Sequence, residues 1–281
     1  MRAVRDGLAL LGLGYLGFLF LVIAPKDGSV GSDAYAYWSV DEAHPYRIVE
    51  GDLGAFPYAP PLVRLAGLAS HLSWVDFWWL WTAALVATVI WLGWKQTPLL
   101  LAFPPVAIEL YHGNINLLLA AAIALGFRYP GTWALLLLTK VTPGIGLLWF
   151  AVRREWQKLA VALGVTLAIV IVSVVVDGPL WGDWIEALRR ASTASLGGPL
   201  SISILIRLPI AAAVVIWGAR TNRPWTVPVA ATLAMPTLFI AVFSVLAAIP
   251  ALRRPDLTAE ERPLSELRDP RFARPWDQPS S

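Results

Sequence analysis

The run GLALLGLGYLGFLFLVIA, residues 7–24, decides the fold class of this chain. It carries no charged side chain, and it is close to the about 20 apolar residues that a helix needs to cross a bilayer. Arg2 and Arg5 precede the run, and the polar sequence 25–27 follows it. A signal peptide has a similar pattern, but no clear small-x-small cleavage site follows here. Because cytoplasmic flanks are rich in Arg and Lys, the two arginines predict a cytoplasmic N-terminus.

The composition extends this prediction to most of the chain. Hydrophobic residues make up 57% of the sequence and charged residues 15%, whereas soluble domains carry about 25% charged residues. Residues 251–281 hold 12 of the 41 charged side chains. We therefore predict a polytopic membrane domain over 1–250 and a disordered cytoplasmic tail over 251–281. The lack of cysteine excludes a disulfide scaffold, and a net charge of +3 indicates no nucleic-acid partner.

Further apolar segments follow the first one at 60–73, 74–94, 98–111, 114–127, 131–150, 157–177, 199–219, 225–235 and 237–250. The pair 98–111 and 114–127 is too short for two full crossings and is joined by a polar sequence, which predicts half-depth helices that turn inside the protein. The last pair is interrupted at Met235-Pro236. The sequence thus predicts an all-α protein of nine or ten transmembrane or half-membrane helices, multi-pass in the plasma membrane, whose basic loops are cytoplasmic.

Two loops are expected on the outer side. Residues 26–57 contain six acids and two bases, and their aromatic residues argue against disorder. In residues 178–198, apolar side chains recur at the spacing of one helix face, which predicts an amphipathic helix at the membrane interface. These side chains are Trp181, Trp184, Ile185 and Leu188.

Ionisable residues inside membrane spans are costly, so each is a candidate functional residue. The candidates are Arg64, Glu109, His112, Lys140 and Arg207. Arg64, Lys140 and Arg207 are expected near one region in the outer half of the bilayer, where three cations suit a phosphate. The alternatives are snorkelling, for Arg64 and Arg207, and an internal ion pair between Glu109 and Lys140.

The polar sequence between the two short segments contains His112, Asn114 and Asn116. These side chains either cap the broken helices, whose ends leave backbone groups without partners, or contact a substrate. No second His or Cys lies at metal-ligand spacing from His112, so we predict no metal site there and leave a need for a divalent metal open.

Asp33 follows the first span within an aromatic sequence, residues 31–38, that includes Tyr35 and Tyr37. A carboxylate beside a membrane-facing cleft can accept the proton of an attacking hydroxyl. The neighbouring aromatic rings suit either sugar binding or anchoring at the interface. Asp41 and Glu42 are the rival bases in the same loop.

The order of these motifs resembles glycosyltransferase family 87, whose members have the GT-C fold and use polyprenyl-phosphate sugars. The motifs, spread over about residues 5–250, are Asp33 with its tyrosines, the aromatic-Pro-Pro sequence 56–61, the Gly-Asn-Ile-Asn sequence 113–116, the Lys-Val-Thr-Pro sequence 140–143, Arg153-Arg154 with Trp156, the Trp-rich helix, and a segment ending at Arg207. Asn114 stands where the family has Gln, and the chain is shorter than most relatives.

The resemblance implies a hexosyl- or pentosyltransferase of the mannosyl or arabinofuranosyl type, with no certain cofactor. Asp33 would be the catalytic base of an inverting transfer, and Lys140 and Arg207, with Arg64 possible, would hold the donor phosphate. We assign substrate binding to Tyr35, Tyr37, Tyr58, His112, Asn114 and Asn116. The acceptor would be an envelope lipid, glycan or protein on the extracytoplasmic face.

Two non-catalytic functions compete with this interpretation. Gly- and Pro-interrupted segments are also typical of transporters, so a flippase for lipid-linked sugars or a small transporter is one alternative. No inverted repeat relates the two halves of the chain, and transport does not require a long acidic and aromatic outer loop. The other alternative is a structural subunit of a cell-envelope complex.

Overall fold

A computed structural model of the chain describes residues 2–49, 51–193 and 202–254. This part is helical and contains no strand, so the predicted all-α class is confirmed. Its α-helices are α1 (Arg2–Phe18), α2 (Ala24–Asp27), α3 (Ser32–Trp38), α4 (Pro60–Ala69), α5 (Trp74–Gly93), α6 (Thr97–Leu101), α7 (Pro104–His112), α8 (Asn116–Gly126), α9 (Trp133–Thr139), α10 (Leu148–Val152), α11 (Trp156–Thr193), α12 (Ile204–Arg220), α13 (Thr226–Leu233) and α14 (Ala248–Ala251). A π-helical turn, Leu19–Ile23, joins α1 to α2, and 3₁₀ helices form Trp94–Gln96, Pro130–Thr132, Thr142–Leu147 and Ile240–Ala247.

Three helical stretches of the described part are long and apolar enough to cross a membrane. They are Asp6–Asp27, Trp74–Leu101 and Trp156–Ala191, of 22, 28 and 36 residues. The first contains the apolar run 7–24. A helix rises about 1.5 Å per residue, so each stretch exceeds the about 30 Å of a hydrocarbon core. The chain is therefore an all-α membrane protein.

The helices α7 and α8 form a bent pair, as predicted for the two short segments. Their axes differ by 118° across a break of a few residues. α7 ends where Gly113 adopts the left-handed conformation (φ 69°), which glycine reaches without steric cost. α8 is buried on most sides, with Leu117, Leu119 and Ile123 fully inaccessible, and it contacts α5, α9, α14 and the 3₁₀ helix Ile240–Ala247. The bend thus carries a polar sequence into the centre of the protein.

Proline interrupts two other predicted spans. The segment 131–150 breaks at Lys140, whose backbone is extended (φ −143°), and resumes as a 3₁₀ helix that contains Pro143. The segments 225–235 and 237–250 are separated as expected at Met235-Pro236. Pro cannot donate the backbone hydrogen bond that would continue a helix, so these breaks leave carbonyl groups that need other partners.

α11 unites a predicted span with the predicted amphipathic helix. It is helical on both sides of Asp177, whose own backbone is not (φ −134°, ψ 41°). The second half of α11 is therefore a helix within residues 178–198, where the amphipathic helix was predicted. Residues 194–201 lie outside the described part. Trp184 donates its indole N–H to the Pro57 carbonyl at 3.0 Å, so this half of the helix is attached to the first outer loop.

The C-terminal end of the described part is packed. Ala251 and Leu252, which the sequence assigned to the tail, are buried, and Arg254 Nη1 donates to the Trp91 carbonyl at 2.8 Å. The predicted disorder of the tail concerns residues 255–281, which lie outside the described part.

Candidate functional site

A cavity of about 450 Å³ lies between α3, the first outer loop, the bend between α7 and α8, and the break after α9. Six of the ten predicted site residues line it. They are Asp33, Tyr37, Tyr58, Asn114, Asn116 and Lys140. The structure thus brings the predicted base and one predicted phosphate ligand to the same cavity.

Two glycines allow Asp33 to approach the bend. Gly31 (φ 71°) precedes α3, and its backbone N–H donates to the Tyr111 carbonyl at 2.9 Å. A Cβ atom at Gly113 would come within 2.8 Å of the Ala34 methyl group and 2.9 Å of the Trp78 ring. Only glycine therefore lets the start of α3 and the end of α7 come this close.

Asn114 holds the Asp33 carboxylate. Its Nδ2 donates to Asp33 Oδ2 at 2.6 Å, while its Oδ1 accepts the Ile115 backbone N–H at 2.7 Å. This second hydrogen bond fixes which way the amide points, because the oxygen must face the backbone donor. Asp33 Oδ1 accepts no hydrogen bond from the described residues, so one carboxylate oxygen is available to an acceptor hydroxyl.

Asn116 holds the Lys140 ammonium in the same way. Lys140 Nζ donates to Asn116 Oδ1 at 2.8 Å, and Asn116 Nδ2 donates to Glu109 Oε2 at 3.1 Å. The sequence left open a direct ion pair between Glu109 and Lys140, whereas the structure has the Asn116 amide linking the two. One short turn therefore positions both a carboxylate and an ammonium group at the cavity.

Tyr37 and Tyr58 separate this cavity from a second, apolar one of about 220 Å³. Their hydroxyl groups are 3.2 Å apart and buried. Burial, together with the neighbouring Tyr58 and Asp33, raises the pKa of Tyr37 well above its ordinary value, so this hydroxyl keeps its proton. The apolar cavity is lined by aliphatic and aromatic side chains, among them Leu62, Leu65 and Trp81.

Tyr35 and His112 do not line the polar cavity. The Tyr35 ring packs against the rings of Trp38 and Trp74 at centroid distances of 5.7 and 5.6 Å. His112 Nδ1 lies 2.9 Å from Ser32 Oγ, beside the Asp33 backbone. Both residues support α3 at the places where the sequence expected substrate contacts.

Arg64 links the first outer loop to α11. Its guanidinium forms a two-pronged ion pair with Asp177 at the bend of α11, and its Nη1 donates to Glu42 at 2.7 Å. Arg64 is absent from the described lining of the polar cavity. These contacts connect α4 and the first outer loop to α11. They explain the presence of Arg64 as a structural link between these elements and not as a snorkelling residue.

Arg207 is buried, with 5% of its surface exposed, and it binds backbone carbonyl groups. The guanidinium donates at 2.7–3.0 Å to the carbonyls of Ile202, Leu233, Met235 and Pro236. Three of these carbonyls lie where α13 ends before Pro236, so Arg207 satisfies acceptors that the broken helix leaves. The structure therefore does not bring the three predicted cations together, and of these only Lys140 is among the described residues that line the cavity.

The rival bases lie outside the cavity lining as well. Asp41 accepts the Ala43 backbone N–H at 3.0 Å and pairs with Arg47 at 3.2 Å. These contacts, led by the Ala43 hydrogen bond, hold the pKa of Asp41 below its ordinary value, which makes it a weaker base. Glu42 is paired with Arg64 and is not a freely solvated loop acid.

Two residues at or behind the cavity were missed as site residues. Asp52 lines the cavity from the first outer loop, where no pattern among the six acids singled it out. Glu109 was among the ionisable candidates, with an ion pair to Lys140 as its only assigned partner, and it lies behind Asn116. Among the described residues, no cluster of three or more His, Cys, Asp or Glu side chains is arranged to hold a metal ion.

In the described part, three helices long and apolar enough to cross a membrane, together with a cavity lined by a carboxylate and an ammonium group, define an all-α membrane protein with a polar site. The model of glycosyltransferase family 87 matches residues 53–262, which is more than half of the chain. The chain therefore belongs to glycosyltransferase family 87 and is a membrane glycosyltransferase. The match includes Asn114, Asn116 and Lys140, whereas Asp33 precedes it. No curated protein and no solved structure matches the chain.

Proposed function

We propose that the protein transfers a sugar from a polyprenyl phosphate to an envelope lipid, glycan or protein, with inversion at the anomeric carbon. The observation that carries the proposal is that Asp33 and Lys140 line one cavity and are held by two asparagines of one turn. A base and a cation at one cavity are what a displacement with a phosphate leaving group requires.

In the proposed reaction, Asp33 removes the proton of an acceptor hydroxyl as its oxygen attacks the anomeric carbon. The bond between that carbon and the phosphate oxygen breaks, and polyprenyl phosphate leaves with the electron pair. Lys140 stabilises the negative charge that develops on the phosphate, since a fixed cation contributes most where charge appears in the transition state. Asn114 donates to Asp33 Oδ2, so the other carboxylate oxygen, Oδ1, faces away from the Asn114 amide.

The apolar cavity suits the hydrocarbon part of such a donor. It adjoins the polar cavity through Tyr37 and Tyr58, and Leu65 at its wall is exposed at the protein surface. A prenyl chain entering from the bilayer would lie along this wall, with its phosphate directed towards Lys140. Burial of apolar surface contributes about 25 cal/mol per Å², so even one or two isoprene units would add to donor affinity.

The charge pattern supports the side of the membrane that we propose. The first outer loop carries more acids than bases, while Arg153, Arg154 and Lys158 follow α10. We place the reaction at the extracytoplasmic face of the plasma membrane, because cytoplasmic loops carry the excess of Arg and Lys.

Replacement of Asp33 by Asn tests the enzyme hypothesis. Asn keeps the shape and loses the basicity, so transfer should fall by about 10²–10⁴-fold while the protein folds and binds donor. The assay is transfer of labelled sugar by purified protein from polyprenyl-phosphate mannose and from polyprenyl-phosphate arabinofuranose. Asp41→Asn is the matched control, since this loop acid lies outside the cavity lining and should stay within a few-fold of wild type.

The outcomes separate the competing functions. An active Asp33→Asn with an inactive Asp41→Asn or Glu42→Gln would mean that another acid is the base. Movement of the donor across the membrane without release of polyprenyl phosphate would favour a flippase. A wild-type protein that neither transfers nor moves any lipid-linked sugar would favour a structural subunit.

A further inference from the structure

Glu109 is a fully buried carboxylate behind the cavity, with 0% of its surface exposed. Its two oxygens accept different donors. Oε2 accepts Asn116 Nδ2 at 3.1 Å, and Oε1 accepts the Leu117 backbone N–H at 3.3 Å. Leu117 lies in the first turn of α8, where backbone N–H groups lack partners within the helix. Glu109, from α7, therefore caps the next helix across the bend.

The contact with Asn116 has a second effect, on orientation. An amide has one oxygen and one nitrogen, so a partner that accepts from the nitrogen also decides where the oxygen points. Because Glu109 accepts from Nδ2, Asn116 Oδ1 faces Lys140 Nζ at 2.8 Å. If the amide turned over, its Nδ2 would face the ammonium group, and two donors would oppose each other.

We propose that Glu109 is a positioning residue, which acts through the Asn116 amide to hold the Lys140 ammonium at the polar cavity. This inference rests on the proposed function, in which Lys140 binds the donor phosphate. The carboxylate suits this task because both of its oxygens accept. A glutamine at the same place offers one oxygen to two donors, so its amide nitrogen faces either Leu117 N–H or Asn116 Nδ2.

The same geometry specifies a compensating exchange. In the double variant Glu109→Gln/Asn116→Asp, the new amide oxygen accepts the Leu117 N–H and its nitrogen donates to the new carboxylate at 116. The other oxygen of that carboxylate accepts from Lys140. Every donor and acceptor of the original network is satisfied again, although the negative charge has moved from 109 to 116.

The test compares donor KM and kcat for wild type, Glu109→Gln, Asn116→Asp and the exchange variant, with polyprenyl-phosphate mannose as the first probe. Glu109→Gln should raise donor KM by about 10-fold or more, since coupled neighbours in one network interact by amounts of this size. The exchange variant should return to within about 3-fold of wild type by the same coupling. If it is no better than either single variant, Glu109 only caps α8 and the inference is wrong.

A cycle with Lys140→Gln supplies a second measurement. Once the ammonium is gone, Glu109→Gln should no longer change donor KM, whereas a purely structural cap would impair the protein by the same factor in both backgrounds. Thr226→Val, which removes a buried hydroxyl at the start of α13 away from the cavity lining, is the control and should leave donor KM unchanged in either background.

Melting temperatures of the same variants make the inference testable without transfer activity. Glu109→Gln and Lys140→Gln should have non-additive effects on melting, because they belong to one hydrogen-bonded network, and additive effects would overturn the inference. A wild-type protein that transfers no sugar refutes the proposed function. A transferring wild type in which the two substitutions act additively on KM or on melting refutes the positioning role alone.

Discussion

Arg207 provides the sharpest test of what a buried cation does in this protein. Its guanidinium donates to four backbone carbonyls, three of them at the broken end of α13. A buried acceptor that loses its partner costs about 1–3 kcal/mol. In Arg207→Met four carbonyls lose this donor, and some of them would find other partners. If only part of the total cost remains, we still expect a loss of at least about 3 kcal/mol in the free energy of unfolding.

That loss corresponds to a melting temperature lower by about 6–12 °C for a chain of this size. The assay is thermal unfolding of purified protein in one detergent, read from tryptophan fluorescence, with donor KM measured on the folded fraction. Arg207→Lys should be nearly as unstable, because an ammonium group cannot reach four carbonyls in the plane of a guanidinium. Donor KM should stay within a few-fold of wild type in both variants.

Arg220 is the matched control for this experiment. It lies at the exposed end of the same helix, α12, so Arg220→Met should change stability by no more than about 0.5 kcal/mol. The reasoning would be refuted by an Arg207→Met protein that melts like wild type but has a strongly raised donor KM. That result would mean that Arg207 contacts the donor phosphate, as the sequence suggested.

Three further outcomes are expected. Gly113→Ala should reduce transfer by about 10-fold or more and lower the free energy of unfolding by about 1–3 kcal/mol. A side chain is strained at φ 69°, and its Cβ would meet the start of α3 at 2.8 Å; transfer and melting measured together check this. Glu42→Gln should cost no more than about 1 kcal/mol and leave kcat unchanged, since its pair with Arg64 is partly exposed, and a dead variant would contradict this. An impermeant thiol reagent on intact cells should label Ser29→Cys and spare Ser280→Cys in this cysteine-free chain, and the reverse pattern would invert the membrane topology.

The pattern of hydrophobic residues predicted which helices form, but it predicted less well where each helix begins and ends. The first span and the bent pair followed from apolar runs and a polar junction, because a helix needs about 20 apolar residues to cross the bilayer and shorter runs joined by polar residues cannot cross alone. The junction between 157–177 and the amphipathic segment was expected as a loop, yet α11 continues through it. Gly178-Pro179 directly after Asp177 favoured a loop, because proline removes a helical hydrogen bond, but α11 only bends at Asp177 and is helical again beyond Pro179.

The candidate site was predicted in part, and the cations show why. Lys140 was expected at the site and lines the cavity, while Arg207 was expected beside it and binds carbonyls instead. Both are ionisable residues in apolar segments, and such residues are candidate functional residues because they are costly there. This rule does not say whether the partner of the charge is a bound ligand or the free carbonyl groups of a broken helix. The positions of the carbonyls around Arg207 depend on how α12 and α13 pack, which is a property of the tertiary structure.

The bend between α7 and α8 also constrains how the chain can enter the membrane during synthesis. α8 has 11 residues and is about 16 Å long, half of a hydrocarbon core, and α7 is shorter still. Neither can be released into lipid alone, because its end and the polar turn would remain without partners. The stretch Asp6–Asp27, which begins in α1, differs, since it is long and apolar enough to span the bilayer and little of it is buried. We therefore expect α1 to insert by itself, whereas α7 and α8 must leave the translocon as one unit, with their polar turn already shielded by earlier helices.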